Sequence, residues 1–315
     1  MLTITKQPTL NAAAGKTAEY RIETDRAETL DVKLTDAETG ELLGTKRYAE
    51  TTETTVDAAP IVNRHLNFAP QAGPTGFLTV TDRRREVRLT AETAAETVAS
   101  GICTYHAGDR TEAAPALLTT MPTQRLIAPG ECDEVTFLTL DTPWVEVTAT
   151  SPAGTKKKGY TARNTIVHVF RLNTADYPEA ERIVLTTGEG LTVEYTVIVS
   201  PAGARRIAWR SHAGSLEHYT FPTEATVTAT TKKNRIRTPE GIGTMTTERR
   251  QRLLLRSAYE TREVLEALAE TTAAPQVWLA EAGVYTPVEV LTEEAVLHRH
   301  GTLNMLELEI GTEIW

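Results

Sequence analysis

The sequence has few aromatic residues, few cysteines and no long apolar run. Aromatic side chains account for 6% of the 315 residues, so the cluster of them around Trp209 stands out. Two cysteines, Cys103 and Cys132, do not make a disulfide scaffold; idle thiols are favoured, and a disulfide between the two stays open. No stretch reaches the roughly 18 apolar residues that indicate a membrane-spanning helix, so we expect no membrane partner.

The N-terminus also lacks a targeting signal. Residues 1–10 do not contain the basic segment and following apolar run of a secretory signal peptide. We therefore expect synthesis in the cytoplasm without an export signal. Hydrophobic residues make up 40% and charged residues 24%, which is typical of a folded protein, and the length predicts two or three domains.

The charge balance is acidic, with a formal net charge of −9 and a pI near 5.4. Proteins that bind nucleic acid usually carry a basic footprint, so a nucleic-acid partner is not expected. Basic clusters do occur, at Arg83–Arg85, Lys156–Lys158, Lys232–Arg237 and Arg249–Arg252. They are dispersed and lack interleaved aromatic residues that would stack on bases, so we interpret them as solvated charge on turns or edge strands.

Neither a nucleophile motif nor a dinucleotide-binding motif is present. Ser211 and Ser215 have histidines and acids nearby, but they do not lie in a Gly-x-Ser-x-Gly elbow. The segment Gly241–Gly243 lacks the remaining glycine spacing of a dinucleotide fingerprint. Glu293 and Glu294 are adjacent, which places them on opposite faces of a strand, whereas acid–base catalysis needs carboxylates that converge. We predict no catalytic residue, no enzymatic activity and no small-molecule substrate.

Two pairs of histidines are further candidates. His298 and His300 lie two residues apart in a predicted strand and would point to one face, as a metal site could require. No third ligand has a suitable spacing, so exposed or packing histidines are the favoured interpretation. His212 and His218 flank a Gly-Ser turn, where a packing role is again favoured. The sequence predicts no metal and no cofactor.

Threonine and valine are plentiful, and their β-branched side chains favour strands. The first predicted domain, residues 1–90, begins with alternating apolar and polar residues at Ala18–Ile22 and Leu30–Leu34, followed by a hairpin turn. Gly76–Thr81 and Glu86–Leu89 are predicted to pair and close the sheet. Strands at this spacing without intervening helices indicate a β-sandwich-like domain.

The second predicted domain, residues 91–200, is another β-sandwich-like unit. It opens with a loose stretch, Ala99–Pro129, which is rich in Ala, Thr, Gly and Pro. The strands predicted after it are Glu134–Leu140, Trp144–Thr148, Thr165–Phe170, Arg182–Thr186 and Leu191–Val199. Glycines on both sides of the turn between the last two strands favour a tight hairpin.

The third predicted domain, residues 201–315, mixes strands with one helix and is therefore α+β. The helix is expected over Thr261–Thr271, with Thr261 as N-cap and with an apolar stripe that packs on a sheet. Residues 247–256 could form a strand or a helix. The other predicted strands are Glu224–Thr230, Gln276–Leu279, Val288–Leu291 and Leu303–Ile310.

A motif within Arg205–Pro222 resembles tail-associated proteins of phages and prophages of Bacteroidetes. It consists of Ile207-Ala-Trp209, a glycine turn at Gly214 and Tyr219-Thr-Phe221. Those proteins continue with a basic strand, a short helix and two strands, and the matching segments here are Leu253–Ala258, Thr261–Ala269, Pro275–Trp278 and Pro287–Val290. The likeness covers about the last third of the chain. It departs at Ser211–Ser215, which replaces the Asn and second Gly of the family turn.

The resemblance implies a non-enzymatic structural subunit of a phage or prophage tail or baseplate-like assembly, located in the virion. Its partners would be other tail or baseplate subunits or further copies of itself. The alternative is a cell-surface adhesion or glycan-binding protein built of Ig-like β modules, which the missing export signal disfavours. We expect Trp209, Tyr219 and Phe221 to anchor the C-terminal core, with Trp278 and Trp315 as further structural or interface residues.

Overall fold

The protein is mainly β, as the sequence predicts. The computed structural model describes residues 1–79, 83–110, 114–141, 143–163, 165–239, 241–297 and 304–313. Strands take up 57% of the described residues and helices 6%, and the strands form several separate sheets. Tandem β-sandwich-like units followed by a sheet with one packed helix confirm the predicted fold class. No helix in the described part of the chain is both long and apolar enough to cross a bilayer.

The elements follow in chain order. The first group is Leu2–Lys6 (β1), Asn11–Ala13 (β2), Glu19–Asp36 (β3), Leu42–Asp57 (β4), Ala59–Asn63 (α1), Gly76–Phe77 (β5), Arg84–Glu92 (β6), Thr97–Ala99 (β7) and Cys103–His106 (β8). The second is Ala116–Leu117 (β9), Gln124–Ile127 (β10), Cys132–Leu138 (β11), Trp144–Ser151 (β12), Gly154–Thr161 (β13), Val167–Asn173 (β14), Arg182–Thr187 (β15) and Thr192–Val197 (β16). The third is Arg205–Arg210 (β17), Leu216–Phe221 (β18), Thr226–Thr238 (β19), Gly241–Arg256 (β20), Arg262–Ala269 (α2), Val277–Glu281 (β21), Val284–Val290 (β22) and Glu307–Glu313 (β23). Short 3-10 helices lie at Thr174–Asp176 and Glu270–Thr272.

The first unit contains one sheet, the first sheet, and its central strand is β3. It has seven strands in the order β1-β3-β6-β8-β2, with β4 paired to β3 and β7 to β6. The β3–β4 hairpin forms because Asp36 caps its own turn: Oδ1 accepts from the backbone N–H groups of Glu38 and Thr39 at 2.9 and 3.0 Å. Alternate residues of β3, such as Leu30 and Leu34, are buried in the core of this sheet.

The second unit is a sandwich of two sheets. The five-stranded sheet has the order β10-β16-β15-β12-β13, and the four-stranded sheet has the order β5-β14-β11-β9. Their facing sides share one core, which includes Phe137, Val147, Phe170 and Tyr195. The predicted hairpin of β15 and β16 is present. The lysines of Lys156–Lys158 are exposed on the edge strand β13, in agreement with their interpretation as charge on turns or edge strands, although this strand is not among the predicted ones.

The third unit is a seven-stranded antiparallel sheet with α2 packed on one face. Its strand order is β18-β17-β21-β22-β23-β20-β19. Leu265 and Leu268 of α2 are fully buried in a core with Trp209 and Leu255, because their spacing places both on one side of the helix. Residues 247–256, left open between strand and helix, belong to strand β20.

One predicted pairing is wrong. Gly76–Thr81 and Glu86–Leu89 do not pair with each other: Gly76 and Phe77 pair with Arg171 and Phe170 of β14, and Glu86–Leu89 lies in β6, which pairs with β3 and β8. Alternation predicts that a segment is extended, but it does not specify the partner strand. Residues 80 and 81 of the predicted pair lie outside the described residues.

The sheets extend across the predicted boundary at residue 90. Strand β8 ends at His106 and completes the first sheet, while β5 near residue 76 joins the second unit. The domain boundaries at 90 and 200 stay predictions. The loose stretch Ala99–Pro129 contains the short strands β8, β9 and β10. Cys103 and Cys132 are free thiols, and burial raises the pKa of Cys103 to about 12.

Two glycines allow the end of the first sheet to meet the turn of the β17–β18 hairpin. Gly108 and Gly214 have φ values of +102° and +91°. A Cβ on Gly214 would overlap the carbonyl oxygen of Ala107, and one on Gly108 would lie 2.6 Å from backbone atoms of residues 212–214. The Asp109 N–H donates to the His212 carbonyl at 2.8 Å across this contact. Glycine is therefore required at both positions for backbone to contact backbone.

We expect Gly214→Ala to destabilise the protein by roughly 1–3 kcal/mol more than Gly190→Ala, because the added methyl group must displace the Ala107 backbone. Gly190 is the matched control: its φ is +83°, and nothing lies within 4 Å of the point that a Cβ would occupy there. Urea unfolding of both variants measures the difference. Equal destabilisation by the two substitutions would contradict the close contact at Gly214.

Candidate functional site

The β17–β18 hairpin lies between two hydrophobic cores. Ala208 and Leu216 are buried on one face, in the same cluster as the core of the first sheet. Ile207 and Trp209 are buried on the other face, in the cluster that contains helix α2. Neighbouring residues of a strand point to opposite faces, so one hairpin contributes to both cores. The third unit is thereby packed against the first through an apolar contact.

The residues predicted to anchor the C-terminal core are found in or beside it. Trp209 and Phe221 are fully buried there, and Tyr219 is half-buried with its hydroxyl donating to Glu260 Oε1 at 2.7 Å. Trp278 takes a different position: it pairs with Ala208 and is buried in the core of the first sheet. It therefore contributes to the contact between units. Trp315 lies outside the described residues.

Four buried polar side chains join the second unit to the third, and we call them the polar junction: Arg125, Asp133, Glu217 and His218. Arg125 Nη1 lies 3.3 Å from Asp133 Oδ2, and Arg125 Nη2 lies 3.3 Å from Glu217 Oε2. His218 Nδ1 lies 3.0 Å from Asp133 Oδ1, without the alignment of a full hydrogen bond. No side chain of the four is more than 3% exposed.

The fold brings the polar junction together from distant parts of the chain. Arg125 lies on β10 and Asp133 begins β11, so both belong to the sandwich of the second unit. Glu217 and His218 are neighbours on β18 and point to opposite faces. Glu217 faces the loop before β10, and His218 faces β11. An edge strand of the third sheet is thus covered by charged contacts to another unit.

Hydroxyl groups complete the coordination of Glu217. Its Oε1 accepts from Ser215 Oγ at 2.5 Å, from Thr119 Oγ1 at 2.6 Å and from the Thr120 N–H at 3.2 Å. Ser211 Oγ lies 2.7 Å from Ser215 Oγ. The serines weighed as nucleophiles therefore bond to each other and to a carboxylate, and the geometry is that of a buried anion held by donors.

His218 is bonded away from those serines. Its Nε2 lies 3.1 Å from the hydroxyl of Tyr285, and its Nδ1 faces Asp133. The ring and the Tyr285 ring meet edge to face, with centroids 6.0 Å apart. A nucleophile–base pair needs the hydroxyl and the imidazole within hydrogen-bond reach. The arrangement at His218 instead connects β18, β11 and β22.

Electrostatics hold Asp133 and Arg125 of the junction in their charged forms. Burial opposes ionisation of Asp133, but Arg125 and His218 outweigh it and keep the pKa of the carboxyl well below its usual value. Burial likewise opposes the charge on Arg125, and Glu217 and Asp133 raise its pKa instead. A buried charge is tolerated only when it is paired and hydrogen-bonded. Each charged group of the junction therefore depends on the others being in place.

Two further arginines reinforce these contacts. Arg206 on β17 reaches Glu131 Oε2 at 3.0 Å, the Thr220 hydroxyl at 2.8 Å and the Cys132 carbonyl at 2.9 Å. Arg83, next to β6, forms a buried ion pair with Glu134 of β11. Strand β11 thus binds both the first and the third unit through side chains at its N-terminal end.

Sequence reasoning missed these ionic contacts between units. The signal available was the pair Asp133-Glu134 at the start of an otherwise apolar strand that is buried along almost its whole length. Acidic residues in a buried strand need partners, which indicates a structural ion pair. The partners Arg83, Arg125 and Arg206 lie far away in sequence or in other elements, so they could not be named without the fold.

A second candidate surface is a projecting β-ribbon, which we call the arm: residues 226–256, formed by β19 and β20. Only residues 250–256 of β20 pair with β23; from Thr231 to Arg249 the two strands pair only with each other in the described structure. All residues from Thr226 to Arg237 are exposed. The projecting part has eight residues in β19, which corresponds to a length of roughly 25 Å.

No cluster of metal-ligating side chains is found among the residues that the structure describes. His298 and His300 lie outside that part of the chain. A groove of about 360 Å³ lies between the 3-10 helix after α2 and strand β22. Pro275, Trp278 and Pro287 contribute to its lining, and Glu289 is the one ionisable side chain there. Thr271, Thr272 and Gln276 also line the groove, so its lining combines polar and apolar side chains.

We expect Asp133→Asn to destabilise the protein by about 3–5 kcal/mol at neutral pH, because Arg125 loses its buried partner. The folded-state pKa of Asp133 is depressed, so its contribution is complete above the unfolded pKa of about 3.9 and is lost as pH falls below it. Urea unfolding from pH 7 to pH 3 should therefore show the gap between wild type and variant narrowing below about pH 4.

The matched control for this experiment is Asp31→Asn. Asp31 forms a similar carboxylate–guanidinium contact with Arg47 at 2.6 Å, but at the surface. We expect no measurable change in its urea midpoint, because exposed ion pairs contribute little. A gap between wild type and Asp133→Asn that stays constant down to pH 3 would contradict the charged junction.

Comparisons with known proteins add little to this geometry. No family model matches the chain, and no curated protein does either. A solved structure of Dpr2 Ig1-Ig2 in complex with DIP-Theta Ig1-Ig3 is 12% identical, with a TM-score of 0.19, and covers 63% of this chain and 99% of its own. Chicken CNTN1 FN1-FN3 is 8% identical, with a TM-score of 0.20, and covers 91% and 94%. E. coli alpha-2-macroglobulin is 10% identical, with a TM-score of 0.21, and covers 81% and 21%. TM-scores this low carry no argument, so the fold description rests on the sheets of this chain.

Proposed function

We propose that this chain is a non-enzymatic structural subunit of a phage or prophage tail or baseplate-like assembly. The observation that carries the proposal is the combination of buried ionic contacts between units with an exposed arm. A subunit of a particle needs a body that holds its shape and a surface that reaches its neighbours. The resemblance of Ile207–Trp209 and Tyr219–Phe221 to the tail-associated proteins points in the same direction.

The buried contacts support the first requirement. The polar junction is formed by side chains from β10, β11 and β18, and Arg83 and Arg206 add ion pairs from the first and third units. Separating the units would break the ion pairs between them and expose the apolar contact around Trp278 to water. These contacts therefore favour a body that keeps its shape.

The position of the reactive groups supports the non-enzymatic role. Ser215, Glu217 and His218 together carry a hydroxyl, a carboxylate and an imidazole, the groups from which hydrolytic sites are built. They are 1%, 0% and 3% exposed, respectively. Each is bonded to other protein groups, and Glu217 and His218 also contact Arg125 and Asp133 of the second unit. Their role in the proposal is to hold the units together.

Mass spectrometry of purified particles from an induced lysogen tests the proposal. We expect peptides of this chain at a level stoichiometric with known tail components, and expect them to co-sediment with intact particles. Lysate from a strain with the gene deleted serves as the control for carry-over. Absence of the chain from such particles would contradict the tail assignment.

A glycan array tests the alternative function. The proposed structural role predicts no glycan that binds at millimolar or better affinity. Specific binding to one glycan class, together with absence from particles, would favour a cell-surface adhesion protein built of Ig-like modules. Binding together with presence in particles would place host contact on a tail subunit.

A further inference from the structure

The arm differs sharply in charge from the rest of the chain. Residues 226–256 contain eight lysines and arginines against two glutamates, a net charge of +6. Since the whole chain carries −9, the remaining residues carry −15. Arg252 and Arg256, at the base, pair with Glu309 and Glu307 of β23. The cations towards the tip form no ion pair with a carboxylate of the described residues: Lys232, Lys233, Arg235, Arg237, Arg249 and Arg250.

These cations are arranged in a row. Lys233, Arg235 and Arg237 are alternate residues of β19 and lie on one face of the ribbon. Arg249 pairs with Thr231 and therefore lies on the same face. Repulsion within such a row makes the isolated arm unfavourable, and a surface of opposite sign would relieve it.

The arm also has an open hydrogen-bonding edge. Strand β19 is the last strand of its sheet, and it pairs only with β20 within the described residues. A two-stranded ribbon exposed on both faces is marginally stable in water. Ile236, Ile242 and Met245 are 43%, 72% and 70% exposed on it. Free backbone groups, cations and apolar side chains thus occur together on one projecting element.

The first sheet presents an edge of opposite charge. The β3–β4 hairpin, residues 19–57, contains eleven acidic and five basic residues, a net charge of −6. Strand β4 pairs only with β3 in the described structure. Near its start the Leu43 carbonyl is occupied by His65 Nε2 at 3.0 Å. Beyond that contact, residues 48–57 contain Glu50, Glu53 and Asp57 and no basic residue. Glu53 also contacts Arg21 of β3 at 2.8 Å, a surface ion pair of the kind that contributes little and can exchange its partner.

We infer that the arm of one molecule binds the β4 edge of a second copy of this chain. Strand β19 adds to β4 through backbone hydrogen bonds, and its basic row lies against the acids of residues 48–57. The two edges are threonine-rich and extended, so their side chains are compatible with pairing. This inference rests on the proposed structural function and names one of its partners.

The contact would be heterologous, because the arm and the acidic edge are different surfaces. Each molecule then has one donor arm and one acceptor edge, and repeated contacts generate a ring if the rotation closes or a filament if it does not. A nucleic acid would also attract the cations of the arm. The second copy is favoured because the arm has no aromatic residue to stack on bases and because the chain itself supplies the acidic edge.

Sedimentation velocity of the full chain over a concentration series tests the contact. We expect self-association that weakens as salt rises, since exposed charges are screened. The double variant Arg235→Glu/Arg237→Glu should raise the dissociation constant at least tenfold. The matched control Lys156→Glu/Lys158→Glu makes the same change in net charge at two exposed lysines of β13, in the second unit, and should leave association unchanged.

A charge swap tests the partner directly. Glu50→Lys/Glu53→Lys should weaken association to the same extent, and mixing this variant with Arg235→Glu/Arg237→Glu should restore it, because the opposite charges again face each other. Circular dichroism confirms that each variant is folded. A failure of the mixture to associate, with both variants folded, would overturn the assignment of the β4 edge.

Two other outcomes would overturn the inference without deciding the proposed function. A wild-type chain that stays monomeric at all concentrations but is present in particles keeps its tail role, and the arm then contacts a different subunit. Monomeric protein that shifts a 30-nucleotide DNA in a gel, with the shift lost in Arg235→Glu/Arg237→Glu, would assign the arm to nucleic acid. Self-association together with absence from particles would support the contact and contradict the tail assignment.

Discussion

The buried charge of Asp133 is the constraint on which the arrangement of the units depends. An ion buried without a partner costs several kcal/mol, and Asp133 has both of its partners, Arg125 and His218, only when β10, β11 and β18 are all docked. The apolar contact around Ala208 and Trp278 supplies attraction but little direction, because hydrophobic burial is non-directional. The ionic contacts, by contrast, require one relative orientation of the units. Together they select one docked arrangement over the others that apolar packing alone would allow.

In that arrangement the two edges of the third unit's sheet differ in what covers them. At one end of its sheet, β18 is an edge strand covered by β11 and by the polar junction. At the other end, β19 is an edge strand exposed along nearly its whole length. A single sheet thus has one edge joined to its own molecule and one edge available to another. The close contact of Gly108 with the turn at Gly214 secures the joined end by backbone packing.

Local pattern predicted most of the elements and few of their partners. Alternation predicted the strands around Ile22, Leu34 and Val147, and helical spacing predicted the buried Leu265 and Leu268. The pairing predicted for Gly76–Thr81 is wrong because the true partner strand lies about a hundred residues away. The local sequence pattern does not indicate so distant a partner. The polar junction could not be predicted for the same reason. Arg125 and Glu217 are compatible with solvated surface charge until the fold places them 3.3 Å apart in the interior.

The net charge of the whole chain does not describe any one of its surfaces, because it sums charges that lie on separate parts of the molecule. The value of −9 combines an arm of +6 with a remainder of −15, and the sign of the whole chain describes neither. The distribution has physical consequences that the sum lacks. Surfaces of opposite sign at separate edges favour the orientation in which unlike edges of two molecules meet. In the proposed contact, the cations of the arm are available to such an edge because β19 is exposed along nearly its whole length.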